Sequence, residues 1–166
     1  MYREGHIGAA LLVYAPVGAV VLALGFDTYA VVGGVVAAGL AMLPDYDQRI
    51  PGLSHRGPTH TVWFALAVGI LLGVLGGLAG RSAGPLAVIA LGTFGFITGF
   101  LTIASHILAD ALTPAGVRPF APYRTNHYSY DLARASNPVA NYALLAVGAV
   151  AAVLALFLGN TIAGVF

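Results

Sequence analysis

Seven residues in this chain have side chains suited to binding a divalent ion: His6, Asp45, Asp47, His55, His60, His106 and Asp110. They include four of its five histidines and three of its six acids. Imidazole nitrogen combined with carboxylate oxygen is the ligand chemistry of zinc, manganese or iron sites. Each of the seven falls at or just beyond the end of a long apolar segment, where a polar group meets the boundary between hydrocarbon and water.

His106 and Asp110 are four apart, one turn along the same helical face, so both can reach one ion. The same face carries Thr102, Gly99, Gly95 and Gly92, a small and polar stripe suited to burial against other helices. Asp45 and Asp47 follow Pro44 in a turn; an extended Asp-x-Asp would put both carboxylates on one side, one binding a metal and the other bridging a second metal or orienting a histidine. In His55-Arg56-Gly57-Pro58-Thr59-His60, two imidazoles flank a rigid corner, Arg56 offers a planar fork to an anion, and Thr59 is placed to cap the following helix. Plainer alternatives stand beside each reading: a His/Asp pair capping a helix, ordinary turn acids, a polar interfacial loop. His6 gains weight only from its position in the topology. His127, among Tyr123, Tyr128 and Tyr130, reads as part of a membrane-surface loop, and Thr113, Gly116, Arg118 and Pro119 as a wall or lid facing substrate. Asn137 and Asn141 enter the last helix from the same side, as hydrogen-bond donors.

The elements that position these residues are membrane spans. Of 166 residues, 59% are hydrophobic and 8% charged, with a mean hydropathy of +0.89; soluble domains carry roughly 25% charged residues. Repeated apolar runs of about 20 residues favour an all-α helical bundle over a barrel of alternating strands. Five spans are expected, near 7–26, 29–43, 62–79, 86–108 and 139–158, in one domain covering 1–166. Pro16 is tolerated in the first and Pro44 ends the second. Arg3 and Glu4 leave the amino-terminal run weakly charged and no small-residue cleavage site ends it, so it reads as a span and not a signal peptide. Counting traversals from His6, the second span returns its chain to the starting side at Asp45 and Asp47, and the fourth delivers His106 and Asp110 there, so all seven candidates share one face. Arg3, Arg49, Arg56, Arg118, Arg124 and Arg134 lie on that face and only Arg81 on the other, which places it in the cytoplasm. The absence of cysteine excludes thiolate ligands and disulfides. With no lysine and no basic run, nucleic acid is not expected as a partner.

Taken together, Gly5-His6, Leu43-Pro44-Asp45-x-Asp47, His55-Arg56-Gly57-Pro58-Thr59-His60, and His106-x-x-x-Asp110 followed by Thr113, Gly116 and Pro119 resemble the YdjM-type family of membrane-bound metal-dependent hydrolases. The resemblance covers the first four spans and the loop beyond. The family's ligand pattern is similar to that of zinc-dependent phospholipase C and P1-type nucleases, which implies a helical metal site hydrolysing phosphoesters. Two other membrane enzymes are excluded by chemistry. There is no His-Glu-x-x-His for an intramembrane zinc protease, and neither the lysine nor the Pro-Ser-Gly-His turn of type 2 phosphatidic acid phosphatases.

The resulting expectation is a multi-pass protein of the inner (cytoplasmic) membrane, in contact with the lipid bilayer. One to three divalent ions, zinc first with manganese or magnesium as alternatives, are held by His6, Asp45, His60, His106 and Asp110. Asp47 and His55 complete a second site or support the first, Asp47 also serving catalysis. Arg56 is both catalytic and substrate-binding, joined at the substrate by Thr59, Thr113 and Arg118. A phospholipid or other membrane-proximal phosphoester is the expected substrate, and a homo-oligomer is compatible with the composition. A non-enzymatic membrane anchor or regulatory protein with a structural metal is the alternative; metal transport ranks last, because the ionisable groups are at span ends and not mid-membrane. The cysteine-free background permits a direct topology test: single cysteines at Arg49 and Ser82 should be labelled by an impermeant thiol reagent from opposite sides. Labelling of both from one side would remove the shared face.

Overall fold

The computed structural model describes residues 1–165 as five α-helices: α1 (Arg3–Ala23), α2 (Asp27–Leu40), α3 (Val62–Gly80), α4 (Pro85–Ala111) and α5 (Pro138–Ala163). All five segments are long and apolar enough to cross a membrane, α2 when counted together with the turn that follows it. Among the described residues no strand forms, only an isolated antiparallel bridge between Val117 and Tyr128.

Four local differences from the sequence expectation matter for the site. α1 starts at Arg3, so His6 lies inside its first turns instead of ahead of them. α4 runs on to Ala111, which makes His106 and Asp110 fully helical neighbours; Leu108, Ala109 and Ala111 are strong helix formers, and the helix stops before Thr113-Pro114. The Asp45–Asp47 segment is not extended. Pro44 has the fixed φ of a first helical residue and opens a 3₁₀ turn over Pro44–Arg49, in which residues two apart no longer share a face. The two carboxylates diverge as a result, Asp47 being buried and Asp45 only partly so. Finally, Thr61 and not Thr59 caps α3, accepting a hydrogen bond from the Phe64 amide at 3.3 Å. Thr61 is extended and immediately precedes the helix, the geometry a cap requires.

α4 packs along α3 on one side and meets α1 and α2 on the other, while α5 packs along α1. Hydrophobic segregation cannot hold helices together in lipid, so close backbone approach has to. A methyl added to Gly95 of α4 would collide with the Leu72 carbonyl of α3, and one on Gly148 of α5 with the Gly8 carbonyl of α1. Large apolar side chains such as Leu71, Leu75, Val150 and Phe157 point outward, as a lipid-facing surface requires. A dry cluster of Ala65, Val68, Ile103, Ile107, Ala111 and Val117 lies at the end of the α3–α4 interface that carries His60 and His106.

Gly148→Val should lower the stability of the detergent-solubilised bundle by about 1–3 kcal/mol, the usual cost of overpacking. Thermal unfolding measured on the purified protein checks this; an unchanged midpoint would show that α5 does not depend on the approach to Gly8.

Candidate metal centre

Two ring nitrogens and two carboxylate oxygens from three separate elements meet at the loop end of the bundle. Asp45 comes from the 3₁₀ turn after α2, His60 from the short turn before α3, and His106 and Asp110 from the last turns of α4. One ligand atom from each lies within 4.8 Å of all the others. His60 Nε2 and His106 Nε2 are 3.1 Å apart. Asp45 Oδ1 is 3.3 Å from His60 Nε2 and 3.5 Å from His106 Nε2, and Asp110 Oδ2 is 3.5 Å and 3.9 Å from the same two nitrogens.

The surrounding hydrogen bonds assign the protons. His106 Nδ1 donates to the Ala41 carbonyl at 2.7 Å, which leaves its Nε2 a bare lone pair. Thr59 Oγ1 spends its proton on Asp47 Oδ2 at 2.8 Å and accepts from His60 Nδ1 at 3.0 Å, which bares His60 Nε2 in the same way. Two lone pairs therefore face each other beside two carboxylate oxygens. Asp45 Oδ1 is buried and has no hydrogen-bond partner. An acceptor-only cluster of this kind is repulsive unless a cation occupies its centre. The donor set fits one: neighbouring ligands around a four-coordinate zinc with bonds of about 2.1 Å stand about 3.4 Å apart, and the spacings here run from 3.1 to 3.9 Å.

The other expected residues support this quartet in different ways. His6 is fully buried and stacks on His106 with ring centroids 3.7 Å apart. Its Nε2 donates to the Met1 carbonyl at 3.0 Å and stands 3.5 Å from Asp110 Oδ1, beside the quartet and not among its four atoms. Asp47 is saturated. Its Oδ1 accepts from His55 Nδ1 at 3.0 Å, and its Oδ2 accepts from Thr59 and from the Arg56 amide at 3.2 Å. Through Thr59 it fixes the orientation of His60, the role a carboxylate takes behind a metal-bound histidine. Asp47, His55 and His60 also form a second group with ligand spacing, but His60 approaches Asp47 through Nδ1, 3.4 Å from Oδ2, and that atom already bonds Thr59.

Arg56 is turned inward. Its guanidinium donates to Asp110 Oδ1 at 3.1 Å, Thr113 Oγ1 at 3.1 Å and the Gly116 carbonyl at 2.8 Å. Asp110 thus divides its oxygens, Oδ2 toward the histidines and Oδ1 toward Arg56 and the Met1 amino group, 2.5 Å away. Arg56 sits at φ 60, a left-handed conformation that costs a side-chain-bearing residue about 1–3 kcal/mol. The Asp47 carboxylate that accepts its amide holds it there. Gly116, at φ 54, is where the chain bends so that its carbonyl can meet Arg56; a Cβ there would strike His127 and the Tyr128 carbonyl. Thr113 is fully buried and Arg118 exposed. His127 lies in the exposed loop, bonded to the Ala115 carbonyl.

Two contributors carried little or no sequence signal. The Ala41 carbonyl is backbone and could not be read from residue type. Asn141 is a buried junction that accepts from the Tyr2 amide at 2.8 Å and donates to the Ala135 and Asn137 carbonyls, tying the start of α1 to α5, while Asn137 caps α5. An amide side chain in the first turn of an apolar span was the available clue.

A cavity of about 450 Å³ reaches the centre from the loop side, lined by both quartet carboxylates together with His55 and Arg56. The two quartet histidines are fully buried on the opposite side. His106→Ala or Asp110→Ala should abolish stoichiometric metal in the purified protein, while Asp47→Ala, which leaves all four ligand atoms in place, should weaken metal affinity about 10–100-fold. Elemental analysis across a chelator titration measures both. Full metal retention by the His106 and Asp110 variants would reduce the cluster to a hydrogen-bonded core.

No curated protein and no solved structure matches the chain. The family model described as YdjM inner membrane protein matches residues 1–165, nearly the whole length, in agreement with five apolar helices and the clustered His/Asp motifs. The chain is a multi-pass inner membrane protein and belongs to the YdjM inner membrane protein family.

Proposed function

We propose that the protein is a metal-dependent phosphoester hydrolase acting at the cytoplasmic surface of the inner membrane. The observation that carries this reading is the asymmetry of the centre. Its two histidine nitrogens are sealed and oriented by outer hydrogen bonds, whereas its two carboxylates open onto a cavity. Two nitrogen and two oxygen donors suit zinc, with manganese or magnesium as alternatives. A divalent ion held there supplies an acidified water and an electrophilic contact for a phosphoryl oxygen.

The chain's own groups supply the rest. Arg56 spends three N–H groups on Asp110, Thr113 and Gly116, and the two remaining donors of its fork have no protein acceptor among the described residues. Those two can take a phosphoryl oxygen while the residue stays anchored. His55, 43% exposed and held through Nδ1 by buried Asp47, presents Nε2 as a hydrogen-bond partner for substrate at the cavity. In this reading Asp47 acts by positioning His55, His60 and Arg56. Six arginines at the site end against Arg81 at the other support the cytoplasmic orientation.

The second reading, a structural ion in a non-enzymatic membrane protein, is favoured by one observation: four protein ligands are enough to close a zinc site. Assay separates the two. Metal-replete protein offered a panel of phospholipids and soluble phosphoesters should hydrolyse at least one class; no hydrolysis of any would support the structural reading. Arg56→Ala should lower kcat/KM about a hundredfold, roughly 3 kcal/mol of transition-state stabilisation, with Arg56→Lys recovering part of it. Undiminished activity in Arg56→Ala would remove the guanidinium from the reaction.

A further inference from the structure

A second, much larger depression adjoins the metal centre. It lies between the 54–64 segment that enters α3 and the 115–127 part of the loop after α4, and encloses about 1580 Å³. That exceeds the roughly 300–1,000 Å³ of pockets for small soluble ligands. Its lining is divided by chemistry. One part is aromatic: Trp63 meets Tyr123 edge to face with centroids 5.4 Å apart, and Phe64 and Phe120 lie beside them. The other part carries the charges of Arg118 and Arg124, with His127 beside them, and no Asp or Glu lines any of it. Arg118 and Arg124 are exposed, and among the described residues Arg56 is the only arginine within ion-pairing distance of a carboxylate. The groove ends at His55 and Arg56, which border the metal centre.

We propose that this groove binds an anionic glycerophospholipid, its phosphoryl headgroup between Arg118 and Arg124 and its glycerol and upper acyl region against Trp63, Phe64 and Tyr123. Unpaired guanidiniums on the loop that packs beside the start of α3 provide charge complementarity and bidentate geometry for a phosphodiester. The aromatic wall at the same level suits the ester and upper-chain zone of the bilayer, and the volume leaves room for more than a headgroup. This inference names the substrate class of the centre described above and rests on that reading for its role; its binding test does not depend on it.

Trp63 is the only tryptophan in the chain and lies in the groove wall, so its fluorescence reports occupancy. Full-length protein, stripped of metal by chelator so that nothing is hydrolysed, is reconstituted in zwitterionic vesicles doped with lipid brominated on the upper acyl chain. Brominated phosphatidylglycerol should quench Trp63 at about fivefold lower mole fraction than brominated phosphatidylcholine, and Arg118→Gln/Arg124→Gln should remove the difference while leaving quenching by phosphatidylcholine intact. If the double variant does not insert, the single variants Arg118→Gln and Arg124→Gln should each lose part of the preference. Equal quenching by the two lipids in wild type, or a preference that survives these substitutions, would overturn the proposal. So would loss of the preference on adding millimolar glycerol phosphate or inorganic phosphate, which would make the groove a site for free phosphate. A preference found in a protein that hydrolyses no phosphoester would uphold the groove and remove the hydrolytic reading; hydrolysis without any preference would do the reverse.

Discussion

Four electron-pair donors are brought together at the loop end of this bundle, and most of the polar structure around them serves to hold them there. The His60 and His106 Nε2 atoms approach to 3.1 Å with neither carrying a proton, because Thr59 and the Ala41 carbonyl have taken the protons on the far side of each ring. Two carboxylate oxygens close the group, one of them buried without a partner. In a low-dielectric setting such convergence is unfavourable by itself, and a divalent cation reverses its sign. The site is therefore one that could hold a cation.

That convergence relates features that would otherwise be unconnected. The 3₁₀ turn opened by Pro44 splits two nearby acids between different tasks, Asp45 to the centre and Asp47 to an outer network that holds His55, Thr59 and the Arg56 amide. The strained backbone of Arg56 is held by the same carboxylate, and its side chain balances the oxygen of Asp110 that faces away from His60 and His106. Elements carrying these groups must approach closely, and in lipid this is achieved by backbone contact at positions such as Gly95 and Gly148. The glycine-rich interfaces and the polar centre are two ends of one construction: the first sets helix spacing, and the second uses the resulting precision.

The YdjM inner membrane protein family model covers residues 1–165, and the chain carries five helices long and apolar enough to cross a membrane. The geometry adds a division of labour that motif order alone cannot express. Sealed histidines, carboxylates open to a cavity and an arginine with donors to spare are the features on which the proposed chemistry rests, and the adjoining groove is the proposed extension toward the bilayer.

Length and hydropathy were enough to read five spans from the sequence, since a helix crossing hydrocarbon needs about 20 apolar residues whatever it packs against. Counting traversals was enough to bring His6, Asp45, His60, His106 and Asp110 to one end. The i, i+4 spacing of His106 and Asp110 on α4 was equally legible, because helical periodicity is local. The division of the candidates was not. The 45–47 spacing suggests an extended Asp-x-Asp, yet the turn after Pro44 is 3₁₀; sequence places Thr59 to cap α3, yet Thr61 does so and Thr59 links Asp47 to His60. Arg56 is legible from sequence as a fork for an anion; that it folds back onto Asp110, Thr113 and Gly116, partners more than fifty positions away, is not. Residue type and spacing determine which atoms are able to bind a cation and which end of the membrane they reach. Which of them converge on one point, and which are spent orienting the others, depends on hydrogen bonds between distant segments, and those exist only once the helices have packed.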